Sequence, residues 1–128
     1  MCGTSEFQLT ETPQVFHYCH CSRCRRATAA AHATDGQISM NAVRFIRGED
    51  HLKDYKLPGT SHFAQVFCDL CGSKMPRLDP EGGTAMIPLG SLDDDPKVKA
   101  GAHLFAGSKA EWFDITGELP VFEAAAPA

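Results

Sequence analysis

Tyr18-Cys19-His20-Cys21-Ser22-Arg23-Cys24-Arg25-Arg26 packs three thiols into six residues. Thiolates that close repel one another unless a cation gathers them or they are oxidised. The usual cation for sulfur ligands is zinc, in tetrahedral geometry. Three protein ligands leave one position open, and an open position separates a catalytic zinc from a closed structural one. If the strand Val15–Cys19 continues extended to Cys21, its period of two puts both thiols on one face. The Cys21-x-x-Cys24 turn then returns the third sulfur to the same point. His20 faces the other way in that arrangement and is discounted as a ligand. The plainer reading is a structural site missing a partner such as His17 or His20. Arg23, Arg25 and Arg26 add positive charge, which favours thiolates and offers bidentate contacts to carboxylates. The alternative for them is a solvated charge run.

The remaining cysteines are Cys2 and the pair in Cys68-Asp69-Leu70-Cys71-Gly72. Two cysteines separated by two residues form a tight turn, and Gly72 follows where a side chain would hinder the backbone. This is a zinc knuckle that supplies two ligands, with Cys2 as the obvious third. The fourth is open among solvent, the terminal amine, His17 and His62. The structural reading dominates here, because closed sites stabilise small folds. A single mixed cluster of all six thiols is a further arrangement that the spacing leaves open.

Outward from these motifs, turn signals recur at Thr12-Pro13, Asp35-Gly36, Arg47-Gly48, Pro58-Gly59, Asp79-Pro80-Glu81-Gly82-Gly83 and Asp93-Asp94-Asp95-Pro96. The runs between them read as short strands: Glu6–Leu9, Val15–Cys19, Ala33–Ser39, Val43–Arg47, Leu52–Tyr55, His62–Phe67 and Thr84–Pro88. His103–Phe105 and Val121–Phe122 carry weaker strand signals. Phe63, Gln65 and Phe67 alternate with Ala64 and Val66, so one face of that run is expected to be plainly buried. Cys21–Ala31 reads as a helix start, with Ser22 as cap and an Ala-rich body. The expected fold class is all-β, built of short antiparallel strands with little helix. Residues 1–123 form one domain, and the Ala-rich, Pro-broken tail 124–128 is expected to fray.

Composition narrows the function classes. The chain has 128 residues and a formal net charge of -4, which argues against a general nucleic-acid or membrane-surface binder. No apolar run reaches the roughly 20 residues of a membrane span, and the N-terminus lacks the regions of a signal peptide. The expected location is a reducing cytoplasm, where cysteines serve as thiols or metal ligands. A homodimer through exposed strands is compatible with this composition.

Cys19-His20-Cys21-Ser22-Arg23-Cys24-Arg25-Arg26 and Phe67-Cys68-Asp69-Leu70-Cys71-Gly72-Ser73-Lys74-Met75 together resemble the glutathione-dependent formaldehyde-activating family. This family includes S-(hydroxymethyl)glutathione synthase and shares its domain with centromere protein V. Leu89-Gly90-Ser91-Leu92-Asp93-Asp94 and His103-Leu104-Phe105-Ala106-Gly107-Ser108-Lys109-Ala110-Glu111-Trp112-Phe113 extend the likeness over nearly the whole chain. The resemblance implies a β-tent fold with two zinc ions. It assigns Cys19, Cys21 and Cys24 to a catalytic zinc, and Cys68 and Cys71 to a structural zinc that also takes an N-terminal Cys-x-Cys. Only Cys2 matches that last element, since its partner would fall before Met1.

The activity implied is that of a carbon–sulfur lyase joining glutathione, or a related thiol, to formaldehyde or another small aldehyde as an S-hydroxymethyl adduct. Arg23, Arg25 and Arg26 would anchor glutathione carboxylates. His103 and Trp112 read as packing residues, and His32, His51 and His62 as surface or strand-edge residues. The alternatives are a non-catalytic zinc-stabilised module that binds a protein partner and a nucleic-acid-associated module like the centromere branch. Overall acidity weighs against the last.

Overall fold

The computed structural model describes residues 1–127. In chain order its strands are β1 (Glu6–Leu9), β2 (Phe16–Cys19), β3 (Ala33–Ser39), β4 (Val43–Arg47), β5 (Leu52–Lys56), β6 (Ala64–Cys68), β7 (Lys74–Met75), β8 (Arg77–Asp79), β9 (Thr84–Pro88) and β10 (Ala100–Leu104). One α-helix among the described residues, α1 (Ser22–Thr28), follows β2. The strands form three small sheets: a ribbon β1-β4, a five-stranded sheet ordered β10-β2-β3-β9-β8, and a three-stranded sheet ordered β5-β6-β7. The fold is therefore mostly β, as the spacing of turn signals predicts.

Between the named strands the pairings are antiparallel with one exception: β10 lies parallel to β2, with His103 opposite Tyr18 and Leu104 opposite Cys19. A parallel neighbour needs a long crossover, and here nearly the whole domain intervenes. Beyond β10 the tail adds a further extended segment. His103 N–H donates to Pro120 O at 2.8 Å, Phe122 N–H to His103 O at 2.9 Å, and Phe105 N–H to Ala124 O at 3.0 Å. The chain is thus still hydrogen-bonded at Ala124, one residue into the stretch expected to fray.

Two other expectations change. The helix is capped by Cys21, not Ser22: the Cys21 sulfur accepts the Cys24 N–H at 3.3 Å. It stops at Thr28, because Ala29 turns into the left-handed region (φ 51°) and redirects the chain toward β3. The second change concerns β6, whose residues Ala64 to Phe67 are only half-buried. Its neighbour β5 is a mostly exposed edge, and a three-stranded sheet has too little cover to bury a whole face.

The main apolar core lies between the β1-β4 ribbon and the β3-β9-β8 side of the large sheet. Ile38, Ala42, Ala85 and Ile87 are its buried centre, with Phe7, Leu9, Val43 and Leu78 among those packed around it. Gly36 on β3 is fixed by packing, since a Cβ there would sit 2.6 Å from Pro13 Cγ. Ile87 is fully buried, so Ile87→Ala should cost about 2–5 kcal/mol of unfolding free energy from lost transfer energy and cavity formation. Denaturant unfolding checks this, with Ile46→Ala at an exposed position as the control, expected to change stability by less than about 0.5 kcal/mol.

Candidate metal centres

The sulfurs of Cys19, Cys21 and Cys24 all lie within 4.8 Å of one another. Three local features put them there. Strand β2 ends at Cys19, Cys21 keeps an extended backbone (φ −61°, ψ 151°), and α1 begins at Ser22. Two extended positions separated by one residue share a face, and the first helical turn folds Cys24 back over Cys21. All three side chains are half-buried. Without a cation they share protons unequally. A hydrogen bond from the Cys24 thiol lowers Cys19 to about 6, against the opposing effect of burial. That same contact, with burial, pushes Cys24 up.

Cys2, Cys68 and Cys71 form a second group, again with all sulfurs within 4.8 Å. Cys68 ends β6 and is buried, Cys71 is half-buried, and Cys2 is exposed. The knuckle closes as its turn requires: Gly72 N–H donates to Cys68 O at 2.8 Å, and Cys68 N–H to Ser73 O at 3.0 Å. Gly72 sits at φ +74°, the left-handed conformation that favours glycine there. The Ser73 hydroxyl lies 3.3 Å from the Cys71 sulfur. Its donation to the thiolate is the main cause that lowers Cys71 to about 6. Beside this turn His51 Nδ1 meets Asp69 Oδ1 at 2.9 Å.

The six thiols therefore sort into two separate triads, and each is positioned to hold a metal ion. Among the described residues no His, Asp or Glu joins either triad within that distance, so His17 and His62 are not brought in as fourth ligands. Sulfur-only donor sets suit soft or borderline cations.

His20 lies on the side of the bend away from the thiols, as alternation predicts. It is fully buried, and its Nε2 is 2.8 Å from His103 Nδ1. Burial holds both imidazoles below their ordinary value, with the charges of neighbouring histidines acting in the same direction. His32 is not a plain surface residue. Its ring centroid is 4.4 Å from Tyr18, 5.2 Å from His20 and 5.6 Å from Phe113. Trp112, expected to pack, is 73% exposed instead. It sits in the turn after the last short helical segment, where the Lys109 ammonium binds the Phe113 carbonyl at 2.8 Å.

A groove of about 1040 Å³ runs between the end of α1 and the knuckle. Thr28, His32, Asp35, Ser73 and Lys74 are among its lining residues, and the Lys74 ammonium meets Asp35 Oδ2 there at 3.2 Å. Neither this groove nor the ion pair is legible in the sequence, because β3 and β7 belong to different sheets. The arginines of α1 do not line it. Arg23 faces a shallower depression with Thr60, Ser61 and His62, and Arg25 Nε donates to His20 O at 3.3 Å.

The chain is thus a small, mostly-β protein with two three-cysteine groups positioned to hold a metal ion. Residues 1–108 match the family described as glutathione-dependent formaldehyde-activating enzyme. The chain belongs to that family. A crystal structure of a Rhodobacter sphaeroides protein, a structural-genomics target, shares the fold at 21% sequence identity with a TM-score of 0.57. The match covers 75% of this chain and 87% of that one. Comparison with curated proteins returns no match.

The unequal thiol titration is directly testable in metal-free protein. Ultraviolet thiolate absorbance should show an early step near pH 6, well below the ordinary thiol value of 9.0. Thiolate is expected above that step and thiol below it. Cys71→Ser should remove about half of the step's amplitude, since Cys19 and Cys71 are the two lowered thiols.

Proposed function

We propose that the chain is a zinc-dependent, carbon–sulfur lyase-like enzyme that joins a glutathione-class thiol to formaldehyde or another small aldehyde. In the addition, a carbon–sulfur bond forms between the thiol sulfur and the carbonyl carbon. The carbonyl π bond breaks, and the thiol proton is balanced by protonation of the new hydroxyl oxygen. The observation that carries this reading is the Cys19, Cys21 and Cys24 triad, three thiols gathered within one short bend beside the arginines of α1. Family membership supplies the substrate class.

Zinc bound there would supply Lewis acidity in reach of the substrates. The chain's own residues do the rest. The bend from β2 into α1 brings the three sulfurs within reach of one ion. The Cys24 N–H donates to the Cys21 sulfur and holds it at the start of the helix. Arg23 and Arg26, both exposed on α1, are placed to bind substrate carboxylates as bidentate pairs. Arg25 spends its Nε on His20 O and keeps its terminal nitrogens for the same purpose. The Cys2, Cys68 and Cys71 site is assigned a structural zinc, since it ties the N-terminus to the knuckle across the domain. The reducing cytoplasm suits the free thiols.

NMR exchange between glutathione and its formaldehyde adduct tests the reading. Zinc-loaded wild type should accelerate exchange, and Cys21→Ser should return it to the uncatalysed rate. A folded, zinc-loaded wild type without acceleration would overturn formaldehyde activation and favour a non-catalytic protein-binding module.

A further inference from the structure

The proposed reaction leaves two buried histidines, His20 and His103, unused. His20 stands between two candidate ligands, yet its ring touches neither sulfur side. The strand ends at Cys19 and the helix starts at Ser22, so His20 and Cys21 carry the whole change of direction. His20 is held at three points. Its N–H donates to Leu104 O at 2.9 Å. Its carbonyl accepts Arg25 Nε at 3.3 Å. Its ring Nε2 meets His103 Nδ1 at 2.8 Å. The two rings stack with centroids 5.1 Å apart, and Phe113 lies 5.6 Å away at another face.

We propose that the His20–His103 pair is a buried clasp that holds the bend between Cys19 and Cys21 in its metal-binding shape. Both histidines are then positioning residues for the Cys19, Cys21 and Cys24 triad. The proposal rests on the metal-binding reading of that triad. Its physical basis is that His20 Nδ1 is buried without a hydrogen bond of ordinary geometry. The contact with His103 is therefore the ring's one side-chain tie, beside a weaker approach to the Ala31 carbonyl. Removing it leaves the buried Nε2 unpaired, which is costly. The relief is for the ring to leave its pocket. Because Cys19 and Cys21 flank His20 on the opposite face, rotation of that residue swings both thiols out of register with Cys24. The parallel register of β10 on β2 is what delivers His103 to this place, opposite Tyr18 and two residues from His20.

The two rings meet through different nitrogens, and this provides specific rescues. An asparagine amide reaches the position of a histidine Nδ1, so His103→Asn retains a partner and His103→Phe keeps only the bulk. A glutamine amide reaches the position of Nε2, so His20→Gln retains the tie and His20→Asn falls short. The probe is cadmium, titrated into the full chain against a chelator and read by cadmium NMR, with one resonance per triad. His103→Phe and His20→Asn should lower cadmium affinity at Cys19, Cys21 and Cys24 roughly 10–100-fold, the range typical of outer-shell partners. His103→Asn and His20→Gln should stay within about threefold of wild type, and the Cys2, Cys68 and Cys71 resonance should be unmoved in all four. Unchanged affinity in His103→Phe and His20→Asn would overturn the clasp. So would equal losses in the rescuing variants, or a parallel fall at both triads, which is the signature of a merely structural role. A wild type that binds no cadmium at the first triad would instead sink the metal reading on which the clasp rests.

Discussion

Sulfur–sulfur repulsion is the constraint that organises this chain. Three thiols held within 4.8 Å cannot all ionise without a cation, and in its absence the protons distribute unevenly over them. Cys19 falls to about 6 while Cys24 rises, because one sulfur's charge is stabilised by the other's retained proton. A metal resolves that conflict by taking the place of the protons, which couples binding to pH. The gathered geometry exists in the polypeptide itself. It comes from a strand end, a two-residue bend and one turn of helix.

Such a short device does not hold itself. A seven-residue helix is too short to be stable alone, and β2 is only four residues long. Both depend on neighbours supplied from far along the chain. On one side β3 pairs with β2 and aligns Ala33 with Cys19. On the other β10 arrives in parallel and places its Leu104 carbonyl on the His20 N–H. The last residues then cover the outer edge of β10 through Pro120 and Ala124. The chemistry near the N-terminus is therefore buttressed by the C-terminal end of the domain.

Much of this was legible because it is local. The period-two relation of Cys19 and Cys21, the tight Cys68–Cys71 turn with Gly72 behind it, and most strands follow from spacing and turn residues. So does the placement of His20 away from the thiol face. What escaped is non-local or too short to show a period. Strands β7 and β8 hold two and three residues around the buried Pro76, too few to show alternation. The parallel β10–β2 register and the His20–His103 contact, the latter across 83 positions, are long-range pairings for which a single sequence carries no signal. Sequence points to Ser22 as the cap because sulfur is an uncommon capping acceptor, and only the closeness of the Cys21 sulfur to the Cys24 N–H reveals the actual cap.

The two triads differ in what their closure would do to the unfolded chain, and that difference agrees with the roles proposed for them. Cys19 and Cys24 are neighbours in sequence, so an ion that joins them closes a loop of a few residues. Cys2 and Cys68 are 66 positions apart, with sulfurs 3.8 Å from one another in the fold. Closing the longer loop removes on the order of 2 kcal/mol more entropy from the unfolded chain than closing the shorter one. An ion in the long-range triad is thus coupled strongly to folding. An ion in the local triad is coupled weakly, and its coordination can change with smaller consequence for the fold. A site that exchanges a ligand with substrate needs that independence. In this chain the cysteines of the local triad span six residues, and under the proposed clasp the histidines, not the ion, would set the shape of the bend.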